Sequence, residues 1–297
     1  MRMPRARHLG LLAASLALAS SASVLTACAG PGQAPSLPDG LAVEVRQGRL
    51  DAADGILVIG FENAGGDPVT VDRFEVLGPT LEPGMSYAEP FELGPGGDRL
   101  DIRIPRTATV CDPDADPTDT VVVVEVTTPG GPRDGELRAS DPHGTLPRLV
   151  DTDCLAASAA AVAGIRMPET LRSEGSGAER RAFLDLRVEP EASARPAQDG
   201  TGSLHIGTVY GTTLLNAESG TDWVIDRDVS VGDAPFTITL PVKPARCDAH
   251  GIADDKRGTI LPVELTTGDG REGRVDLPAG DALKAELYAY YTERCGL

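Results

Sequence analysis

The chain has 297 residues, a formal net charge of −18 at pH 7, an aromatic content of 4% and one tryptophan, Trp223. So acidic a surface repels nucleic acid and anionic lipid headgroups, and so few aromatic rings leave no stacking platform for single strands or sugars. The simplest role for the excess carboxylates is to keep the protein soluble and non-adhesive.

Arg2, Arg5 and Arg7 precede an uncharged run of Leu, Ala, Ser, Gly and Val from Leu9 to Leu25. A basic start and an apolar run read as an export signal, although the length reaches the lower edge of a spanning helix. The next residues decide between the two. Leu25-Thr26-Ala27-Cys28 resembles the bacterial lipobox, an aliphatic residue and two small ones before a cysteine. The resemblance implies a diacylglyceryl thioether on Cys28 and cleavage just before it, with residues 1–27 as signal peptide. The competing reading, a plain secretory signal with a stray cysteine, needs charge, apolar run and small residues to fall in register by accident. The expected address is the outer face of the cell membrane, reached through acyl chains worth about 0.8 kcal/mol per buried methylene. Residues 28–40 carry three prolines and three glycines with few large apolar side chains, and read as an extended tether.

Cys111, Cys154, Cys247 and Cys295 remain, an even number in an exported chain. An oxidising compartment favours disulfides. Three connectivities are possible; pairing within each half favours Cys111 with Cys154 and Cys247 with Cys295, each worth roughly 4 kcal/mol in the chain-entropy model. A four-thiolate zinc site lacks the CxxC spacing it needs.

An internal repeat divides the rest. Leu100-Asp-Ile-Arg-Ile-Pro105 leads to Cys111 as Phe236-Thr-Ile-Thr-Leu-Pro241 leads to Cys247, and an aspartate, Asp112 or Asp248, follows each cysteine. Val121 to Thr128 then matches Ile260 to Thr267, and Gly135 to Arg138 matches Gly273 to Asp276. Two copies of one module explain this order. The expected domains are 41–155 and 169–297, with 156–168 as connector.

Period-two segments fill both halves: Leu41 to Val45, Ile56 to Phe61, Val69 to Phe74 and Leu100 to Ile104, then Phe183 to Val188, Ser203 to Ile206, Trp223 to Ile225 and Phe236 to Leu240. Short strands between Gly, Pro, Asn and Asp turns predict a mainly β protein of two tandem Ig-like β-sandwich domains. Leu155 to Ile165 has helix propensity and no charge until its end, and reads as a buried or interfacial connector too short to span a membrane. Asp281 to Thr292 sets Leu283, Leu287 and Tyr291 on one line that Cys295 continues, a C-terminal helix stapled to the second sandwich.

The chemical signals are weak. Asp112 to Asp119 alternates carboxylates like a calcium loop, but Pro117 and Val123 stand where that loop needs glycine and an acid, so a turn-forming loop is preferred. Cys247 to Asp255 places His250 beside three carboxylates; ion pairs with Lys256 and Arg257 are the simpler account. His205 alternates outward on a strand and His143 lies in a turn. No nucleophile elbow, HExxH or paired histidine is present, so no catalytic residue, metal ligand or cofactor is assigned.

Val209 to Leu215, Asp254 to Thr259 and Arg246-Cys247-Asp248 are similar to stretches of lipobox-containing surface lipoproteins of high-GC Gram-positive bacteria with repeated Ig-like modules. That resemblance implies location and fold, and no activity. The expected role is non-enzymatic: a lipid-anchored envelope protein presenting two sandwiches to a protein or envelope partner, with no nucleic-acid partner. The rival is a small-ligand or cation-binding accessory lipoprotein using the interdomain cleft or the acidic loops.

Overall fold

The computed structural model describes residues 36–192, 202–253 and 257–297. Cys28, the signal segment and the tether as far as residue 35 lie outside them, as do Asp254, Asp255 and Lys256.

The first half runs β1 (Leu41–Arg46), α1 (Arg49–Ala53), β2 (Ile56–Asn63), β3 (Val69–Leu77), β4 (Met85–Tyr87), β5 (Phe91–Leu93), β6 (Asp98–Pro105), β7 (Val121–Thr128), β8 (Gly131–Arg138) and α2 (Thr145–Ala160). One sheet is ordered β1-β2-β6, the other β4-β3-β7-β8 with β5 also on β3, and every pairing is antiparallel. Alternation puts Val43, Val45, Ile59 and Phe61 of one sheet against Val71, Phe74, Val122 and Val124 of the other, all buried.

The second half runs β9 (Ala163–Arg166), β10 (Arg172–Glu174), β11 (Arg181–Pro190), β12 (Ser203–Val209), β13 (Leu215–Ala217), β14 (Trp223–Ser230), β15 (Phe236–Pro244), α3 (Ala249–Ala253), β16 (Ile260–Thr267), β17 (Glu272–Pro278) and α4 (Asp281–Cys295). Its sheets are β10-β11-β15-β13, with β9 on β11, and β14-β12-β16-β17. The repeat seen in the sequence is a repeat of topology. β9-β11-β15 matches β1-β2-β6, and β12-β16-β17 matches β3-β7-β8, each copy closing on a helix. The protein is mainly β, two tandem Ig-like sandwiches with a C-terminal helix on the second.

The two cores meet through α2. Asp141 accepts from the amides of Thr145 and Leu146, 2.7 Å each, and so satisfies the helix start. Leu146 and Leu149 pack into the first core; Leu155 and Ala159, further along the same helix, pack into the second. The helix expected from Leu155 to Ile165 therefore begins ten residues earlier and ends at Ala160. Pro147 does not prevent this, because in the first turn its missing N–H has no helical partner to lose. The expected connector 156–168 instead belongs to the second core: Ala159, Val162 and Ala163 are buried in it, and β9 pairs with β11. Residues 36–297 form one compact unit.

α4 follows its predicted stripe and adds one residue to it. Leu283, Leu287, Tyr290 and Tyr291 are all buried, and the Tyr290 hydroxyl donates to the Val242 carbonyl at 2.8 Å. Gly296 ends the helix in the left-handed region at φ 67°, a conformation glycine adopts without strain.

Candidate functional site

Both expected disulfides are present. Cys111–Cys154 spans 43 residues with Cα atoms 5.6 Å apart, and Cys247–Cys295 spans 48 with 5.2 Å. Each ties the segment after β6 or β15 to the helix that closes its sandwich. Around the first, Asp153 accepts from both Arg106 (Nη1 at 2.5 Å) and Thr109 (2.5 Å). Around the second, the Tyr291 hydroxyl donates to the Asp248 carbonyl at 3.2 Å.

In the acidic loop of the first module, Asp112 and Asp116 accept from backbone amides of the loop itself. Asp112 accepts from the Asp114 amide at 3.0 Å, Asp116 from the Thr118 amide at 2.8 Å and hydroxyl at 2.7 Å, and Asp119 pairs with Arg138 at 3.1 Å. The Thr118 hydroxyl and amide hold the Asp116 carboxyl below its ordinary range. In the second loop Asp248 accepts from the Gly251 amide at 2.8 Å, and His250 is exposed on α3. His205 faces Asp228 through Nδ1 at 2.8 Å and Asp226 through Nε2 at 3.6 Å. His143 lines a hollow with Arg46, Asp51 and Arg103. His143 lies in the turn before α2, His205 on β12 and His250 on α3, and among the described residues no group of three His, Cys, Asp or Glu could hold a metal ion.

An exposed apolar surface lies on the outer face of the β4-β3-β7-β8 sheet, unannounced by any motif. Leu77, Pro79, Leu81, Pro83 and Val121 line a groove of about 320 Å³. A second hollow on the same sheet, about 310 Å³, is lined by Val123, Ser86 and Tyr87. Leu77 is 37% exposed although most of its strand is buried or half-buried. Beneath, the Tyr87 ring stacks on Phe74 at 5.7 Å and Phe74 meets Phe61 at 5.0 Å, so the surface sits on a rigid aromatic layer. Arg73 pairs with Glu125 beside it, and Glu75 and Asp119 complete a charged border. An apolar centre with a polar rim is the anatomy of a protein contact surface. The signal in the sequence is the run Val121 to Val124: four consecutive valines place apolar side chains on both faces of β7, whereas a half-buried strand alternates. In the second module the matched strand carries Pro262 and Glu264 outward, where the Tyr210 hydroxyl donates to Glu264 at 3.0 Å and Arg274 covers the Tyr210 ring at 3.8 Å.

Several carboxylates are held in their ionised form. Asp185 lies below its ordinary range because of its hydrogen bond from Arg172, opposed by burial and aided by Thr239. Glu293 is lowered by the Gly177 amide, 2.7 Å away, and by Arg180 at 2.6 Å. A carboxylate depressed in the folded state contributes stability that is complete above its unfolded pKa, about 4, and is lost as pH falls through the folded value. Thermal melts should therefore be nearly flat on the acid side of neutrality and fall below about pH 4, and Asp185→Asn should flatten that fall. An unchanged acid slope in the variant would remove Asp185 from the account.

No protein-family model matches the chain, and no curated protein matches it. Among solved structures it is similar to the Pseudomonas aeruginosa CupB2 chaperone at 11% identity, over 77% of this chain and 95% of that one, with a TM-score of 0.21. The YadV chaperone matches at 14% identity over 76% and 94%, TM-score 0.19. The Salmonella enterica SafA pilin in complex with the SafB chaperone matches at 16% over 82% and 98%, TM-score 0.18. Those scores describe no shared superposition of whole chains, and the fold rests on the sheets and registers of this chain itself.

Proposed function

We propose that this chain is a lipid-anchored, non-enzymatic protein of the cell envelope, tethered through Cys28 on the outer face of the membrane, whose sandwiches present surfaces to a protein partner. The lipobox-like Leu25 to Cys28 supports the anchor, and two disulfides suit an oxidising compartment. The observation that carries the interaction reading is the open apolar groove of Leu77, Pro79 and Val121 with its charged border. The alternative, cation capture by the acidic loops, has less support, because Asp112, Asp116 and Asp248 already accept hydrogen bonds from their own loops.

A photo-crosslinking residue at position 77, irradiated on intact cells that make the protein, is expected to give a discrete adduct with one protein. The same probe at exposed Thr266, on the second module, is expected to give none. No adduct from either position, or equal adducts from both, would overturn the reading.

A further inference from the structure

Several cross-strand charge pairs in this protein attract. Arg73 stands directly opposite Glu125 across β3 and β7, and Glu264 opposite Arg274 across β16 and β17. In the β9–β11 ladder Arg166 stands directly opposite Arg187; the other like-charge opposition among the described residues, Glu125 and Asp134 across β7 and β8, is offset by Arg73, which pairs with Glu125. Side chains so placed share one face with Cβ atoms roughly 5 Å apart, and like charges there destabilise the pair. Arg166 is exposed and has no ion pair among the described residues; Arg187 reaches only Glu189, at 3.9 Å.

Arg166 and Arg187 both line one cavity of about 510 Å³, open to solvent, with Thr237 in register opposite Arg187 and the segment Met167 to Thr170 as its wall. A third arginine there, Arg172, is already committed to Asp185 through bonds of 2.6 and 2.9 Å. Two arginines at one space, Arg166 without an ion pair among the described residues and Arg187 with only the distant Glu189, and a hydroxyl beside them offer more donors than a single planar carboxylate accepts, and match a tetrahedral oxyanion.

We propose that this cavity binds a small ligand through a phosphate group held between Arg166 and Arg187. Glu169, Asp185 and Glu189 also line the cavity, which makes its lining neutral overall. That balance disfavours a polyanion and suits a ligand with one phosphate. The phosphate relieves the repulsion between the arginines, so it binds the folded chain and stabilises it.

The test is a titration of the full chain with inorganic phosphate at low ionic strength, where screening is least. Saturable binding is expected, weakened about tenfold in Arg166→Gln and in Arg187→Gln, the loss of one charge-assisted contact. Arg181→Gln, an exposed change on the same strand outside the cavity, should bind as the parent does. Both cavity variants should melt at or above the parent temperature without phosphate, because each removes a like-charge contact; a lower melting temperature would overturn the repulsion. Absence of saturable binding, an equal loss in Arg181→Gln, or acetate binding as tightly as phosphate would overturn the site.

Discussion

Replacing Leu155 with alanine is expected to cost about 2–5 kcal/mol and to destabilise the second sandwich, although the helix that carries the residue starts in the first. Leu155 is 2% exposed and its Cδ2 lies where a Cβ on Gly273 would come within 3.2 Å, so the glycine of β17 makes the space that the leucine fills. The matched Gly135 of β8 is filled in the same way by Leu37, whose Cγ would lie 2.9 Å from an added Cβ. Each sandwich is thus plugged by a leucine from the segment that enters it. Trp223, buried in the second core and the only tryptophan of the chain, reports that core directly by fluorescence. A denaturation midpoint followed through Trp223 should fall in Leu155→Ala, and a loss below about 1 kcal/mol would mean that α2 does not pack there as described.

The second large effect belongs to the Cys247–Cys295 staple. A double serine replacement removes closure of a loop spanning 48 residues, worth up to about 4 kcal/mol in the chain-entropy model. It also frees the end of α4, which gives the second core Leu283, Leu287, Tyr290 and Tyr291. Fraying from that end first loosens the two tyrosines, and with them the Tyr290 bond to Val242. The Trp223 transition of the double variant should move to lower denaturant, and reductant, which opens both staples, should move the parent at least as far. Coincident midpoints for parent and variant would show that α4 docks without its staple.

Those elements differ in how plainly the chain announces them. Alternating segments such as Phe236 to Leu240, the two cysteine pairs and the Leu283-Leu287-Tyr291 stripe each carry a local pattern with one physical reading. The repeat adds evidence that no single segment holds, since the same strand, proline and cysteine order occurs in both halves. β4, β5, β10 and β13 are three residues long and too short to show a period. β9 was obscured by the helix-favouring alanines before it, and pairing with β11, a long-range event, decides it. The Arg166–Arg187 opposition could not be foreseen without that strand. The apolar groove was half visible: four valines in a row say that both faces of β7 are apolar, but exposure of Leu77 depends on the open sheet face above it.

Cys28 decides the central claim, that the protein is held at the membrane by a lipid on this residue while the other four cysteines form staples. The measurement is intact mass of the mature protein recovered from the membrane fraction, with Cys28→Ser as comparison. The account predicts an amino terminus at Cys28 whose mass includes a diacylglyceryl group, no alkylatable thiol before reduction, and loss of membrane retention in Cys28→Ser. A mature chain with an unmodified Cys28 thiol, or membrane retention unchanged in Cys28→Ser, would contradict it.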